Sequence, residues 1–275
     1  MNRSAADLRA RLTAAGLFAK KGFGQHFLLD PVLLDRIAAI AAPLSGRTVL
    51  EIGPGPGGLS MALLAAGARV VAVEKDPRFA EFLTDLAAES DGQFRVVLGD
   101  ALDIDEAALL ADTPLPAVIV ANLPYNVATP LLVKWLKATG VWRGPMALMF
   151  QKEVAQRIAA QPGQDAYGRL AVLAQSACAA QLALTLAPGA FSPPPKVASA
   201  VVRLVPLATP FADLAALEKV TAAAFGQRRK MLRSSLASLG DAAALCAQAG
   251  LAPTARAEDI DVAGFQRLTI AFTST

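Results

Sequence analysis

Beyond about residue 46 the chain alternates short apolar runs with stretches long enough for helices. Thr48–Ile52, Arg69–Glu74, Phe94–Leu98 and residues 117–121 are each five or six residues long and rich in Val, Ile and Leu, the pattern of strands buried on both faces. Strands separated by helices in this way predict an α/β fold, a parallel sheet with helices on both sides. Upstream, Asp30-Pro31 opens a helix with Leu33, Leu34, Ile37 and Ile40 at helical spacing, and Pro43 stops it. Asp76-Pro77 and Thr129-Pro130 each look like the start of a further helix, and Ser4 with Asp7 fits a capping box for a short helix ending near Gly16. The uncharged run between Arg169 and Lys196 is interrupted by Gln175, Ser176, Gln181 and Thr185 and broken at Pro188-Gly189, so it reads as a buried helix followed by a strand rather than a membrane span. After Pro193-Pro194-Pro195 comes an apolar strand over 198–205. Pro206 and Pro210 then mark a linker, and from about residue 211 short amphipathic helices suggest a second, small domain, with the boundary at 207/208.

Composition narrows the classes. A chain of 275 residues accommodates one large domain and a small one, and 54% hydrophobic with 18% charged residues describes a globular chain with a sizeable core. Two cysteines, Cys178 and Cys246, and the single His26 are too few for a disulfide framework or a zinc site of the usual kind, so no metal is expected and a reducing compartment fits. Arg3, Arg9 and Arg11 would suit a transit segment, but Asp7 lies among them and no apolar signal core follows, which favours a cytoplasmic protein. The net charge of +3 is carried by residues 191–275, with nine Lys/Arg against six Asp/Glu. Two cationic clusters stand out, the leader through Lys20-Lys21 and Arg228-Arg229-Lys230 with Arg233, as a phosphate-tracking surface would have.

The chemistry concentrates where strands end. The four strands run into Gly53, Glu74, Asp100 and Asn122, and in an open α/β sheet ligands bind outside the carboxyl ends of the strands, so these residues are expected around one cleft. Gly53, Gly55 and Gly58 match a dinucleotide-type glycine pattern, and Glu74, about twenty residues on, suits a ribose diol. A nicotinamide dehydrogenase is one reading of that set. Asp100 adds an acceptor for an adenine amino group, and without need of a pyrophosphate S-adenosylmethionine is the better fit. Asn122-Leu123-Pro124-Tyr125 then places an amide oxygen, a backbone carbonyl directed by a proline of fixed φ, and a stacking ring in succession, suited to holding an exocyclic amino group beside a methyl donor.

Several ordered blocks carry a resemblance: Gly24-Gln25-His26-Phe27-Leu28, Glu51-Ile52-Gly53-Pro54-Gly55-Pro56-Gly57, Val73-Glu74, Gly99-Asp100-Ala101, Asn122-Leu123-Pro124-Tyr125-Asn126, Gln151-Lys152-Glu153-Val154, Phe191-Ser192-Pro193-Pro194-Pro195-Lys196-Val197 and Phe225-Gly226-Gln227-Arg228-Arg229-Lys230. Over nearly its whole length the chain resembles the KsgA family of ribosomal RNA adenine dimethyltransferases. The resemblance implies a Rossmann-like S-adenosylmethionine-dependent methyltransferase sheet over residues 1–207, in which 1–30 form a basic leader and cofactor-covering loop, and a small helical RNA- and ribosome-binding domain over 208–275. It implies transfer of two methyl groups to N6 of each of two adjacent adenosines in the 3′-terminal hairpin loop of 16S rRNA. The substrate would be a pre-assembled 30S particle and the enzyme a monomer, with no membrane or metal involved.

Carried over residue by residue, the resemblance assigns cofactor contacts to His26, Leu28, Gly53, Gly55, Glu74, Asp100 and Asn122. Asn122, Leu123 and Tyr125 become the catalytic corner. Tyr125 and Phe191 are implied as stacking partners of the target base, with the proline run keeping Phe191 at the surface, and Arg228, Arg229, Lys230 and Arg233 as contacts to the rRNA backbone. Position 26 departs from the asparagine frequent in the family. Alternatives left open are an assembly factor in which binding outweighs catalysis and a relative acting on large-subunit rRNA.

Overall fold

The computed structural model describes residues 5–17, 25–138, 140–227 and 229–274, so Ser4, Lys20, Lys21 and Arg228 of the cationic and capping motifs lie outside the described residues. In chain order the helices are α1 (Ala5–Ala14), α2 (Pro31–Ala41), α3 (Gly58–Ala65), α4 (Ala80–Glu89), α5 (Glu106–Leu109), α6 (Tyr125–Lys137), α7 (Lys152–Ala159), α8 (Arg169–Ala177), α9 (Leu214–Gly226), α10 (Leu232–Ser235), α11 (Ala242–Gln248) and α12 (Val262–Thr273). The strands are β1 (Phe27–Leu28), β2 (Thr48–Ile52), β3 (Arg69–Glu74), β4 (Phe94–Leu98), β5 (Ala117–Asn122), β6 (Arg143–Gln151), β7 (Cys178–Leu186), β8 (Phe191–Ser192) and β9 (Ser199–Pro206).

Seven strands form one sheet in the order β4-β3-β2-β5-β6-β9-β7. The chain moves outward from β2 through β3 to β4, then returns to β5 on the other side of β2, and the β2, β3, β4, β5 and β6 pairings are parallel. That reversal leaves a crevice between the carboxyl ends of β2 and β5, the topological switch point where ligands of such sheets bind. Every residue of β2 is buried, as is all of β3 after Arg69, so the continuous apolar runs of the sequence reflect helices covering both faces. β9 closes antiparallel on β6.

Local signals explain how the helices begin. The Asp30 carboxylate accepts from the amides of Val32 and Leu33 ahead of Pro31, and α2 buries Leu34, Ile37, Ala38 and Ala41 before it ends short of Pro43. Asp76 caps a short 3₁₀ turn over Pro77–Phe79, and α4 follows it. The helix expected from Thr129-Pro130 begins earlier, at Tyr125, with Pro124 as its cap and Pro130 inside it. Pro130 is exposed, and Ala128, Leu131, Leu132, Trp135 and Leu136 make one buried face along α6. Packing of that face outweighs the single hydrogen bond a proline removes near the helix start.

The chain divides into two compact units, Met1–Ala155 with Leu182–Leu204, and Gln156–Gln181 with Val205–Thr275. The second unit thus takes in residues from the middle of the chain as well as those after the 207/208 boundary drawn from the prolines. The Leu207 amide bonds the Ala177 carbonyl and the Phe211 amide that of Ser176, so the stretch expected as a linker is fastened to α8. Inside this unit Phe225 stacks on Phe265, with ring centroids 5.3 Å apart, and meets Tyr167 edge-on at 6.0 Å, while the Tyr167 hydroxyl donates to the Ile260 carbonyl at 2.9 Å. Among the described residues no helix is long and apolar enough to cross a membrane.

Candidate active site

A cleft of about 250 Å³ lies in the first unit, and Gly53, Glu74, Asp100 and Asn122, the four expected strand ends, all line it. Its floor is the glycine turn between β2 and α3. Gly55 has φ +55° and Gly57 φ +90°, and a Cβ at Gly57 would come within 3.2 Å of Leu86 Cδ2, so the turn needs residues without side chains.

The acids around the cleft are held differently. Glu74 is 5% exposed, and its Oε2 accepts the Gly55 amide at 2.9 Å while Oε1 accepts the Asp76 amide at 2.7 Å. Burial raises its pKa above the usual carboxylate value, and the two amides oppose the shift. Asp100 is more open: its Oδ2 lies 2.5 Å from Lys75 Nζ and its Oδ1 accepts the Leu102 amide at 3.0 Å. The Lys75 hydrogen bond and the Leu102 amide hold it below the usual carboxylate range. Glu51, the last residue but one of β2, also lines the cleft. It is 1% exposed, takes a 2.6 Å hydrogen bond from Ser60 at Oε2, and its Oε1 has no partner among the described residues. Burial pushes its pKa up to about 8. Sequence reasoning gave Glu51 no role of its own, although a carboxyl inside an otherwise apolar strand was a signal that something unusual sits there.

The Asn122-Leu123-Pro124-Tyr125 corner forms where β5 passes into α6, and all four residues line the cleft. The Tyr125 hydroxyl lies 2.7 Å from Ser199 Oγ, and burial raises its pKa, which favours the neutral phenol. Pairing of β1 with β8, Phe27 with Ser192 and Leu28 with Phe191, brings two motifs together that lie far apart in the chain. His26 and Leu28 line the cleft from β1 and the residue before it. His26 Nδ1 is 2.9 Å from the Pro193 carbonyl, an acceptor only, so the ring donates there. Its ring centroid is also 5.8 Å from that of Tyr125, which places His26 beside the Asn122-to-Tyr125 corner.

Phe191 requires correction. It is 5% exposed and belongs to the core beneath the β1–β8 ribbon, because pairing with Leu28 turns its side chain inward, and the proline run that follows does not lift it to the surface. Of the cationic cluster, Arg229, Lys230 and Arg233 are exposed in the second unit. A further group that sequence reasoning missed latches the segment before β1: Gln25 Nε2 donates to Asp76 Oδ2 at 2.9 Å, and Arg78 bridges to Gln25 Oε1 at 3.1 Å and to Asp76 Oδ2 at 2.5 Å.

The sheet order, the glycine turn and the acids at successive strand ends define a Rossmann-like methyltransferase. Known proteins make the assignment narrower. The model of the family described as ribosomal RNA adenine dimethylase matches residues 17–273, and the chain belongs to that family. It is 58% identical over 268 residues to the ribosomal RNA small subunit methyltransferase A of Phenylobacterium zucineum, covering 96% of this chain and 92% of that one. It is 59% identical over 250 residues to the protein of the same name from Caulobacter vibrioides, covering 90% and 95%. Among solved structures, a dimethyladenosine transferase from Plasmodium falciparum superposes with a TM-score of 0.75 at 26% identity over 89% of this chain and 96% of that one. The 23S rRNA methyltransferase ErmE superposes with a TM-score of 0.68 at 25% identity, over 90% and 99%. The chain is therefore an rRNA adenine methyltransferase by family, with a Rossmann-like sheet and a helical C-terminal part.

Proposed function

We propose that this chain dimethylates N6 of two adjacent adenosines in the 3′-terminal hairpin loop of 16S rRNA, in a 30S precursor, with S-adenosylmethionine as donor. The observation that carries the reading is the joint placement of the Asn122-to-Tyr125 corner, Glu74 and Asp100 on one cleft. The cleft is rich in acceptors, with Glu74, Asp100 and the Asn122 side chain along it, and its Lys75 is already paired with Asp100. Such a set suits a ligand that offers hydroxyls and amino groups better than it suits a pyrophosphate, which favours the methyl donor over a dinucleotide. The names of the small-subunit relatives point the same way.

On this reading Glu74 receives the ribose hydroxyls, Asp100 the adenine amino group, and the glycine turn allows close approach of the backbone, with His26 and Leu28 covering from β1. S-adenosylmethionine supplies an electrophilic methyl group when bound. The work of the protein is then placement, and a well-oriented pair of reactants is worth on the order of 7–11 kcal/mol in favourable cases. The amino lone pair of adenine is delocalised into the ring. Accepting its hydrogens at the Asn122 side-chain oxygen and the Leu123 carbonyl favours a pyramidal nitrogen and returns that lone pair to it. Tyr125 offers a stacking face worth about 1–3 kcal/mol, which offsets much of the cost of unstacking the base. Phe191, buried as it stands, would join only if the ribbon over it moved. Arg229, Lys230 and Arg233, with Arg228, supply phosphate contacts whose strength falls with salt.

The test is methyl transfer to 30S particles from a strain lacking the gene, read by the primer-extension stop at the paired adenosines. Wild-type protein should restore the stop and Asn122→Ala should not. A stop that persists in the deletion strain, or modification of the large subunit alone, refutes the proposal. Unchanged subunit maturation with Asn122→Ala would separate a binding role from catalysis.

A further inference from the structure

α6 does more than begin at the catalytic corner. About two and a half turns along it, Lys134 reaches to the segment that follows β4: its Nζ donates to the carbonyls of Ala101 at 2.9 Å and Ile104 at 2.5 Å and lies 2.9 Å from Glu106 Oε1. Three acceptors match the three N–H bonds of an ammonium. Glu106 is 5% exposed and also accepts from the indole of the fully buried Trp135 at 2.7 Å. Two successive residues of one helix therefore fasten the segment from Ala101 to Glu106. Asp100 and Ala101, at the start of that segment, line the cleft, as does Tyr125 at the start of α6, whereas Lys134 does not. The Lys134 charge also favours the ionised form of Asp100, after the larger effects of Lys75 and the Leu102 amide.

A lysine kept only for solubility would leave its ammonium in water. Here it bonds carbonyls of the segment that directly follows Asp100. We propose that Lys134 is a positioning residue that sets the Asp100 loop in register with the Asn122–Tyr125 corner and so governs how selectively the cleft takes an aminopurine. This rests on the reading of Asp100 as the acceptor for the adenine amino group.

The test is calorimetric binding of S-adenosylhomocysteine and of its 6-oxo counterpart, S-inosylhomocysteine, to the full chain. Wild type should prefer the adenosyl compound, and Lys134→Met should lower that preference by roughly threefold to thirtyfold, the range over which residues away from a ligand tune its binding. In steady state the KM for the donor should rise by more than kcat falls. Should Lys134→Met fail to fold with Glu106 left unpaired, Lys134→Met/Glu106→Gln removes both charges and carries the same expectation. A folded variant that discriminates as well as wild type overturns the role of Lys134 alone. A wild-type chain that binds the two compounds equally, or binds neither, overturns the adenine reading of Asp100 and this inference with it.

Discussion

Glu74 and Asp100 end neighbouring strands of one sheet, yet their surroundings are opposite. On the glycine-turn side Glu74 and Glu51 are buried among apolar residues with pKa values raised by desolvation. On the β4 side Asp100 is partly exposed, paired with Lys75, and its pKa is lowered. Strand-end position thus selects which side chains line the cleft, while burial and partners decide their charge. One side is a desolvated seat, and the other an ion-paired edge whose following segment is bonded by Lys134.

The contrast can be broken first through stability. Glu51 binds a proton in the folded state up to pH about 8 but loses it near the ordinary value, 4.5, when unfolded. The folded state therefore holds more protons in between, so this group's contribution to stability declines as pH rises from about 4.5 to about 8. Glu51→Gln should flatten that decline, with a difference from wild type on the order of 4 kcal/mol between the ends of the window. Denaturant unfolding across pH checks it, and parallel curves for the two proteins would show that Glu51 does not set the pH dependence.

Between the two sides stands the corner, where Asn122→Ala should lower kcat on the order of 10²-fold, the usual cost of losing a polar group aimed at the reacting atoms. Single-turnover methyl transfer separates that loss from weaker binding.

The sides are next compared directly. Glu74→Gln should weaken S-adenosylhomocysteine binding by about tenfold to a hundredfold, as expected for a buried charged acceptor. Asp100→Asn, at a site that water and Lys75 already screen, should cost less, about threefold to tenfold. On the proposal that ionised Glu74 accepts the ribose hydroxyls, affinity should fall as pH drops through its raised pKa, at a higher pH than an ordinary carboxylate would give. Asp100→Asn should keep that titration and Glu74→Gln should lose it. The smallest effect is expected at Tyr125→Phe, which keeps the ring and removes the bond to Ser199, at about twofold to tenfold in rate. A larger loss would make the hydroxyl more than a support.

Legibility in the sequence followed how local the cause was. Thr48–Ile52, Arg69–Glu74 and Phe94–Leu98 end where their apolar runs end, and Asp30-Pro31 starts α2, because a cap or a buried run acts over a few residues. Thr129-Pro130 misled because the buried face running from Ala128 to Leu136 carries α6 through the proline. Phe191 misled because its neighbour is Leu28, a pairing no window of sequence contains. The second unit joins Gln156–Gln181 to Val205–Thr275, through contacts such as that of Tyr167 with Phe225 that no window of sequence contains.

The alternation of strands and helices, the four strand ends that line the cleft and the family were legible in the chain alone, since each is written in contiguous residues. Only the tertiary structure decided that Glu51 is buried with one oxygen unpartnered, that Glu74 is seated on backbone amides while Asp100 is paired with a lysine, and that Lys134 braces the loop between them and the corner. The state of a charge depends on the water it has lost and the partners it has gained, and both are supplied by residues distant along the chain.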